Sequence, residues 1–188
     1  MNYIQNPILA NIIHEELKNL QPGINLERLL KILKEIRKET SRSFYPEDFI
    51  HIFQDTKSPR DTSYRNLVML RAMKILRRIE EKKVNYQITN LGKYVLKSDD
   101  ETLVDHLKNI FQYLFSIRIL LDFIKDNHEV SKEDICDVLG KEMIYYNKIT
   151  LGKATSKPYN RVICGVLLVL LVELKILQMN VNTKKFYY

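Results

Sequence analysis

The chain has 188 residues, a formal net charge of +7 and a pI near 9.3, with 45% apolar and 28% charged residues. That balance excludes a disordered or collagen-like chain and supplies the core of one domain or two small ones. The longest apolar run, Val166 to Val172, is far too short to span a bilayer, and no basic stretch precedes an apolar core at the N-terminus, so neither membrane insertion nor a secretory leader is expected. Cys136 and Cys164 form no CxxC pair, which leaves no expectation of a disulfide framework or zinc site and makes a reducing cytoplasm the default compartment.

Asn6 and Pro7 open an amphipathic helix whose Leu9, Ile12, Ile13, Leu17 and Leu20 form one stripe, ended by Pro22 and Gly23. This element, 1–24, either packs on its own chain or offers an interface for a homodimer or a partner protein. Asn25 is placed to cap a helix through Glu39, with Leu26, Leu29, Leu30, Leu33 and Ile36 inward. After the polar turn Thr40 to Ser43, Pro46 occupies a first helical position. Glu47 and Asp48 follow in the first turn, where the helix dipole favours acids, and predict a short helix to about Gln54.

Pro59, Asp61, Thr62 and Ser63 then mark a helix start. Leu67, Met69, Leu70, Met73, Leu76 and Ile79 recur at helical spacing and predict a helix from about Thr62 to Ile79. Lys82 and Lys83 lead into Val84, Tyr86 and Ile88, which alternate with Asn85 and Gln87 as a half-buried strand does; a hairpin is expected near Lys83 to Ile88. Thr89 caps the next helix. Asp99 or Asp100 starts a connecting helix, 98–115, with Leu103, Val104, Leu107, Ile110, Phe111 and Leu114 on one face, and Ser116 restarts the pattern as far as Asn127. Ser131 and Asp134 form a near capping box for a short helix, Ile135 to Leu139, ended by Gly140. Thr155, Ser156 and Pro158 start a long helix through about Lys175, and Leu177 to Tyr188 reads as a second hairpin.

The order helix, short helix, turn, long helix, hairpin thus occurs twice, over 25–97 and 116–188, with little residue identity; Ser58-Pro59 and Lys157-Pro158 are the clearest match. The copies differ in the stretch before the long helix. Lys141 to Lys157 forms a connection of about seventeen residues carrying Tyr145, Tyr146, Lys148 and Lys153, a composition that either holds phosphates and bases or covers core. Charge follows the same plan: Lys57 to Arg78 and Lys141 to Lys185 each carry a net +6, separated by Asp99, Asp100, Glu101 and Asp105. Such patches fit an anionic partner.

The run Tyr86, Ile88, Thr89, Gly92 resembles the wing-to-helix junction of winged-helix proteins, and with the repeated order it implies a mainly helical chain with small β-hairpins, a tandem winged helix-turn-helix. The resemblance extends to prokaryotic winged-helix regulators and to the tandem winged-helix recognition portions of some restriction endonucleases. It implies binding of double-stranded DNA, as a transcriptional regulator or recognition subunit. Helix starts then meet base edges while lysines and arginines of the helix flank and wing bind phosphates. In the first copy this implies Arg60, Thr62, Ser63, Arg65 and Asn66, with Lys82 and Lys83 on the wing, and Arg65 as the leading base reader. In the second it implies Lys157, Tyr159, Asn160 and Arg161, with Lys184 and Lys185 on the wing. Arg71, Lys74, Arg77 and Arg78 read as a solvated face.

A second class of reading is a tandem winged-helix scaffold for protein partners, which the apolar run within the second long helix favours. A third is remote. Glu173-Leu174-Lys175 resembles the ExK of magnesium-dependent restriction-type nucleases, which needs a strand at that position and an acid on its neighbour. No catalytic motif, metal-ligand spacing or cofactor loop is present, so neither catalytic nor metal-binding residues nor a cofactor is expected.

Overall fold

The computed structural model describes Ile12, Glu16 and residues 24–80, 84–139 and 157–188, with Glu80 and 157–160 described by backbone alone. The chain is mainly helical with two small antiparallel two-stranded sheets. It divides into two compact units, Gly23–Leu107 and a discontinuous one made of Met1–Pro22 with Lys108–Tyr188.

The 23–107 unit begins with α1 (Leu26–Lys38), where the Asn25 side chain accepts the Arg28 N–H at 2.9 Å and so satisfies a free helix donor. Leu29, Ile32, Leu33 and Ile36 turn one face inward. Phe44 then bridges to Tyr86, and Pro46 opens a 3-10 helix (Pro46–Phe53) whose start is tied by Asp48, which accepts the Tyr45 N–H at 2.8 Å. Next come α2 (Pro59–Ala72), β1 (Leu76–Glu80), β2 (Val84–Ile88) and α3 (Asn90–Leu96). Phe44, Phe49, Phe53, Leu67, Leu70 and Tyr86 are buried at the centre; emptying one aromatic position costs about 3–5 kcal/mol.

The helix expected to reach Ile79 stops seven residues earlier, at Ala72. Its end is closed by a left-handed residue, Lys74 at φ 59°, with the Ile75 N–H returning to Leu70 O at 3.0 Å and the Lys74 N–H to Arg71 O at 2.9 Å. The chain then turns into β1, paired with β2 from Leu76–Ile88 to Glu80–Val84, so the first hairpin starts well before Lys83. Arg77 and Arg78 erase any alternation in β1, while Leu76 happens to continue the three-residue spacing of Leu70 and Met73. That coincidence produced the helical expectation.

The junction read as Tyr86, Ile88, Thr89, Gly92 has a physical basis in this unit. Tyr86 and Ile88 are core residues. The Thr89 hydroxyl accepts the Gly92 N–H at 3.0 Å and donates to Lys74 O at 2.7 Å, binding the start of α3 to the turn after α2. A Cβ on Gly92 would lie 2.3 Å from Ile75 O and 2.8 Å from Ile88 Cγ2, so only glycine fits.

Helix α4 (Asp100–Gln112) follows, with Asp99 accepting the Thr102 N–H at 2.8 Å. Within the 23–107 unit, Asp100 of α4 bridges Lys34 at 2.7 Å and Arg37 at 2.9 Å on α1.

In the discontinuous unit, α5 (Phe115–Asn127) restarts after Leu114. Its leading N–H groups, from Phe115 and Ser116, donate to the Glu16 carboxylate at 2.9 and 2.7 Å, so a residue about a hundred positions earlier caps this helix. Helix α6 covers 132–139 behind a full capping box: the Ser131 N–H donates to Asp134 Oδ2 at 2.9 Å and the Asp134 N–H to Ser131 Oγ at 3.1 Å. Helix α7 (Lys157–Glu173) then leads to β3 (Gln178–Met179) and β4 (Phe186–Tyr187). Val130 bridges to Phe186. Val166 to Glu173 is helical, so Glu173 and Lys175 do not sit on the strand that the nuclease pattern requires. The long connection with Tyr145, Tyr146, Lys148 and Lys153 lies outside the described residues, as do Leu9, Ile13, Leu17 and Leu20 of the N-terminal stripe.

Candidate nucleic-acid interface

Helix α2 sorts its own residues by angle. Thr62, Ser63, Asn66, Leu67, Val68, Met69 and Leu70 are buried, and the other side of the helix carries Arg60, Asp61, Tyr64, Arg65 and Arg71. The polar inward residues bond back to their own turn: Thr62 Oγ1 donates to Ser58 O at 2.9 Å, Ser63 Oγ to Pro59 O at 2.9 Å and Asn66 Nδ2 to Thr62 O at 2.8 Å. The expectation that Thr62, Ser63 and Asn66 face DNA is therefore corrected. Their hydroxyl and amide groups bond within the first turns of α2, and all three side chains are buried.

Arg60 and Arg65 do lie on the outer side. Arg60 is 72% exposed and pairs with Glu47 of the 3-10 helix at 2.8 Å, an exposed bridge of at most about 1 kcal/mol. Arg65 is half-buried, one turn further along. Asp61 accepts the Ser58 hydroxyl at 2.8 Å. Beside these residues lies a cleft of about 420 Å³ walled by Tyr45, Pro46, Glu47, Arg60, Tyr64 and Val84.

The structure adds residues that the sequence reading set aside. Arg71 and Arg78, expected on one helical stripe, belong to α2 and β1. Arg78 stands opposite Tyr86 in the hairpin register. Burial raises the pKa of the Tyr86 hydroxyl and neighbouring Tyr64 adds to the rise, while Arg71 and Arg78 pull it down. Arg77, on the other face of β1, donates to Gln87 Oε1 at 2.9 Å, and Gln87 donates on to Ser43 Oγ at 3.0 Å. Lys74 is exposed in the turn between α2 and β1. The helix-to-strand break places Arg71 and Arg78 on two different elements, and a continuous helical pattern hides it.

No family model matches the chain, and no curated protein or solved structure shows significant similarity to it. The functional reading therefore rests on this chain's own residues.

In the stretch expected to be a second copy, Arg161 is exposed in the first turns of α7, and Lys184 and Lys185 are exposed between β3 and β4, Lys184 at φ 57°. Lys185 helps to lower the pKa of Asp134, although hydrogen bonds from Ser131 are the larger cause. Lys157, Tyr159 and Asn160 lie on helical backbone, and their side chains, like Lys82 and Lys83, lie outside the described residues. Further along α7, Ile163, Leu167, Leu168, Leu170 and Leu171 are buried, whereas Val162 and Val169 are 43% and 47% exposed. Among the described residues no cluster of His, Cys, Asp and Glu is arranged to hold a metal, and no helix is long and apolar enough to cross a membrane.

Proposed function

We propose that residues 25–97 form a winged helix-turn-helix module that binds double-stranded DNA, and that 116–188 repeats the module. The reading rests on one observation above the rest: a tight left-handed turn at Lys74 carries the chain from the last turn of α2, with Arg71, straight into β1, with the exposed Arg78, so the helix and the adjoining hairpin both carry basic residues. A helix in the major groove with a hairpin along the backbone needs cations on both elements. Arg65 lies on the outer side of α2 toward its leading end, where a guanidinium can take the two acceptors of guanine. Arg60, Arg71, Lys74, Arg78 and, in the repeat, Arg161, Lys184 and Lys185 supply the phosphate contacts. The simplest role is a regulator or a DNA-recognition subunit.

A second reading, a scaffold for a protein partner, is favoured by Val162 and Val169, seven residues apart and both exposed on one side of α7.

Selection of binding sites from random duplexes tests the proposal. Enrichment of a short motif is expected, with preference relaxed at one base pair by Arg65→Ala, a loss of about 1–3 kcal/mol of discrimination. Recovery of no duplex above background would instead support the scaffold.

A further inference from the structure

We propose that the cleft between the 3-10 helix, the start of α2 and the start of β2 is a binding site for a guanine-type base, taken as the free nucleoside. Its volume of about 420 Å³ falls in the size range of small-molecule sites. Three elements of the 23–107 unit wall it, and hydrogen bonds hold them before any ligand arrives. Phe44 and Tyr86 exchange two backbone hydrogen bonds at 2.8 Å, which fixes Tyr45 and Pro46 against the strand that carries Val84. The Tyr45 N–H donates to Asp48 Oδ2 at 2.8 Å, and Pro46 opens the 3-10 helix that presents Glu47. On α2, the Ser58 hydroxyl donates to Asp61 Oδ2 at 2.8 Å and Pro59 occupies the first helical position, so Arg60, Asp61 and Tyr64 leave the helix at set positions. The inference does not require that the chain bind duplex DNA.

The lining decides the ligand class. Tyr45 and Tyr64 are aromatic and Pro46 and Val84 apolar, which favours a flat ring over a sugar or a bare ion. Polar groups of both kinds stand beside them: Glu47 and Asp61 bring carboxylates that only accept, and Arg60 brings a guanidinium that only donates. A free phosphate would face two carboxylates there, and a simple organic cation would meet the Arg60 charge. The Glu47–Arg60 pair joins Oε1 to Nη2 at 2.8 Å. A carboxylate has about four lone-pair positions and a guanidinium about five N–H groups, so both keep capacity for a ligand. A guanine edge matches that set. Its ring N–H and adjacent amino group give two parallel donors to one carboxylate, and its carbonyl oxygen and N7 accept from an arginine. Adenine has the amino group without a ring N–H beside it, and uracil has one ring N–H between two acceptors, so each turns an acceptor toward a carboxylate.

The experiment titrates the full chain with guanosine, inosine and adenosine, following backbone amide shifts by NMR and affinity by calorimetry. The expected result is saturable binding of guanosine, with the largest shifts at Tyr45, Glu47, Arg60, Tyr64 and Val84. Inosine, which lacks the amino group, should bind about tenfold more weakly, and adenosine more weakly still. Tyr64→Ala and Glu47→Gln, both at exposed side chains, should each weaken guanosine binding roughly tenfold with circular dichroism unchanged. Glu47→Gln also separates this site from a duplex surface, because removing a negative charge strengthens attraction to a phosphate backbone. No saturable binding of guanosine at millimolar concentration, equal affinity for guanosine and adenosine, or shifts confined to other residues overturns the proposal on the wild-type protein alone. Guanosine affinity unchanged in both folded variants overturns it as well.

Discussion

Val130 and Phe186 exchange both of their backbone hydrogen bonds, the Val130 N–H donating to Phe186 O at 3.0 Å and the Phe186 N–H to Val130 O at 2.8 Å. Phe44 and Tyr86 do the same at 2.8 Å in each direction. In each unit a single residue ahead of a short helix closes onto a later strand. The end of the long helix repeats as well: Lys175 at φ 54° matches Lys74, and the Ile176 N–H returns to Leu171 O at 2.8 Å as Ile75 does to Leu70. The amides of Val130 and Phe186 should therefore exchange with solvent as slowly, relative to their own core, as those of Phe44 and Tyr86 do. Rapid exchange at Val130 alongside protection at Phe44 would show that the second bridge is not structural.

Two glycines should respond oppositely to alanine. At Gly92 the added methyl meets Ile75 O and Ile88 Cγ2, backbone and core atoms that cannot yield, so Gly92→Ala should cost roughly 1–3 kcal/mol in urea unfolding. At Gly165 it meets the end of the Lys132 side chain, which can swing away. Gly165→Ala should be neutral or stabilising, up to about 1 kcal/mol from helix propensity. Equal losses at both positions would mean that Lys132 is held in place.

Asp100 should make the stability of the 23–107 unit depend on acid. Hydrogen bonds from Lys34 and then Arg37 lower its pKa below the ordinary carboxylate value. The sign is fixed by that direction: the contribution is complete above the unfolded carboxylate pKa and is lost as pH falls through the lower folded value. Asp100→Asn should thus melt earlier than wild type at neutral pH, less so in high salt, and the two should converge in strong acid. A difference that persists in acid would assign the effect to packing.

Glu47 holds Arg60 at 2.8 Å beside the candidate interface, and a DNA phosphate would compete for the same guanidinium. Under the DNA-binding reading, Glu47→Gln should tighten binding to any duplex by a few-fold, about what an exposed ion pair and one removed like charge supply. Weaker binding in that variant would mean that Glu47 orients Arg60 for contact.

How much was legible in the sequence depended on whether the signal was local. Asn25, Asp99, Thr89 and the Ser131–Asp134 box were readable because a cap bonds to a residue three positions away. Glu16 was not, since it caps a helix about a hundred residues distant. The close of the long helices was signalled only faintly: Lys-Ile-Leu follows the apolar run at 74–76 and 175–177, but the same tripeptide lies mid-helix at 31–33. Thr62, Ser63 and Asn66 looked exposed because they are polar, and helical back-bonding to Ser58, Pro59 and Thr62 is what lets them turn inward.

The central claim, that the outer side of α2 and its hairpin bind duplex DNA through phosphates, is tested most directly by the salt dependence of binding. Affinity for a labelled duplex should fall linearly on a double-logarithmic plot, by roughly 0.9 in slope for each phosphate neutralised. Arg71→Gln with Arg78→Gln should reduce that slope by about two while circular dichroism stays unchanged. Binding that ignores salt, or no binding to any duplex at low salt by the folded protein, would contradict the account.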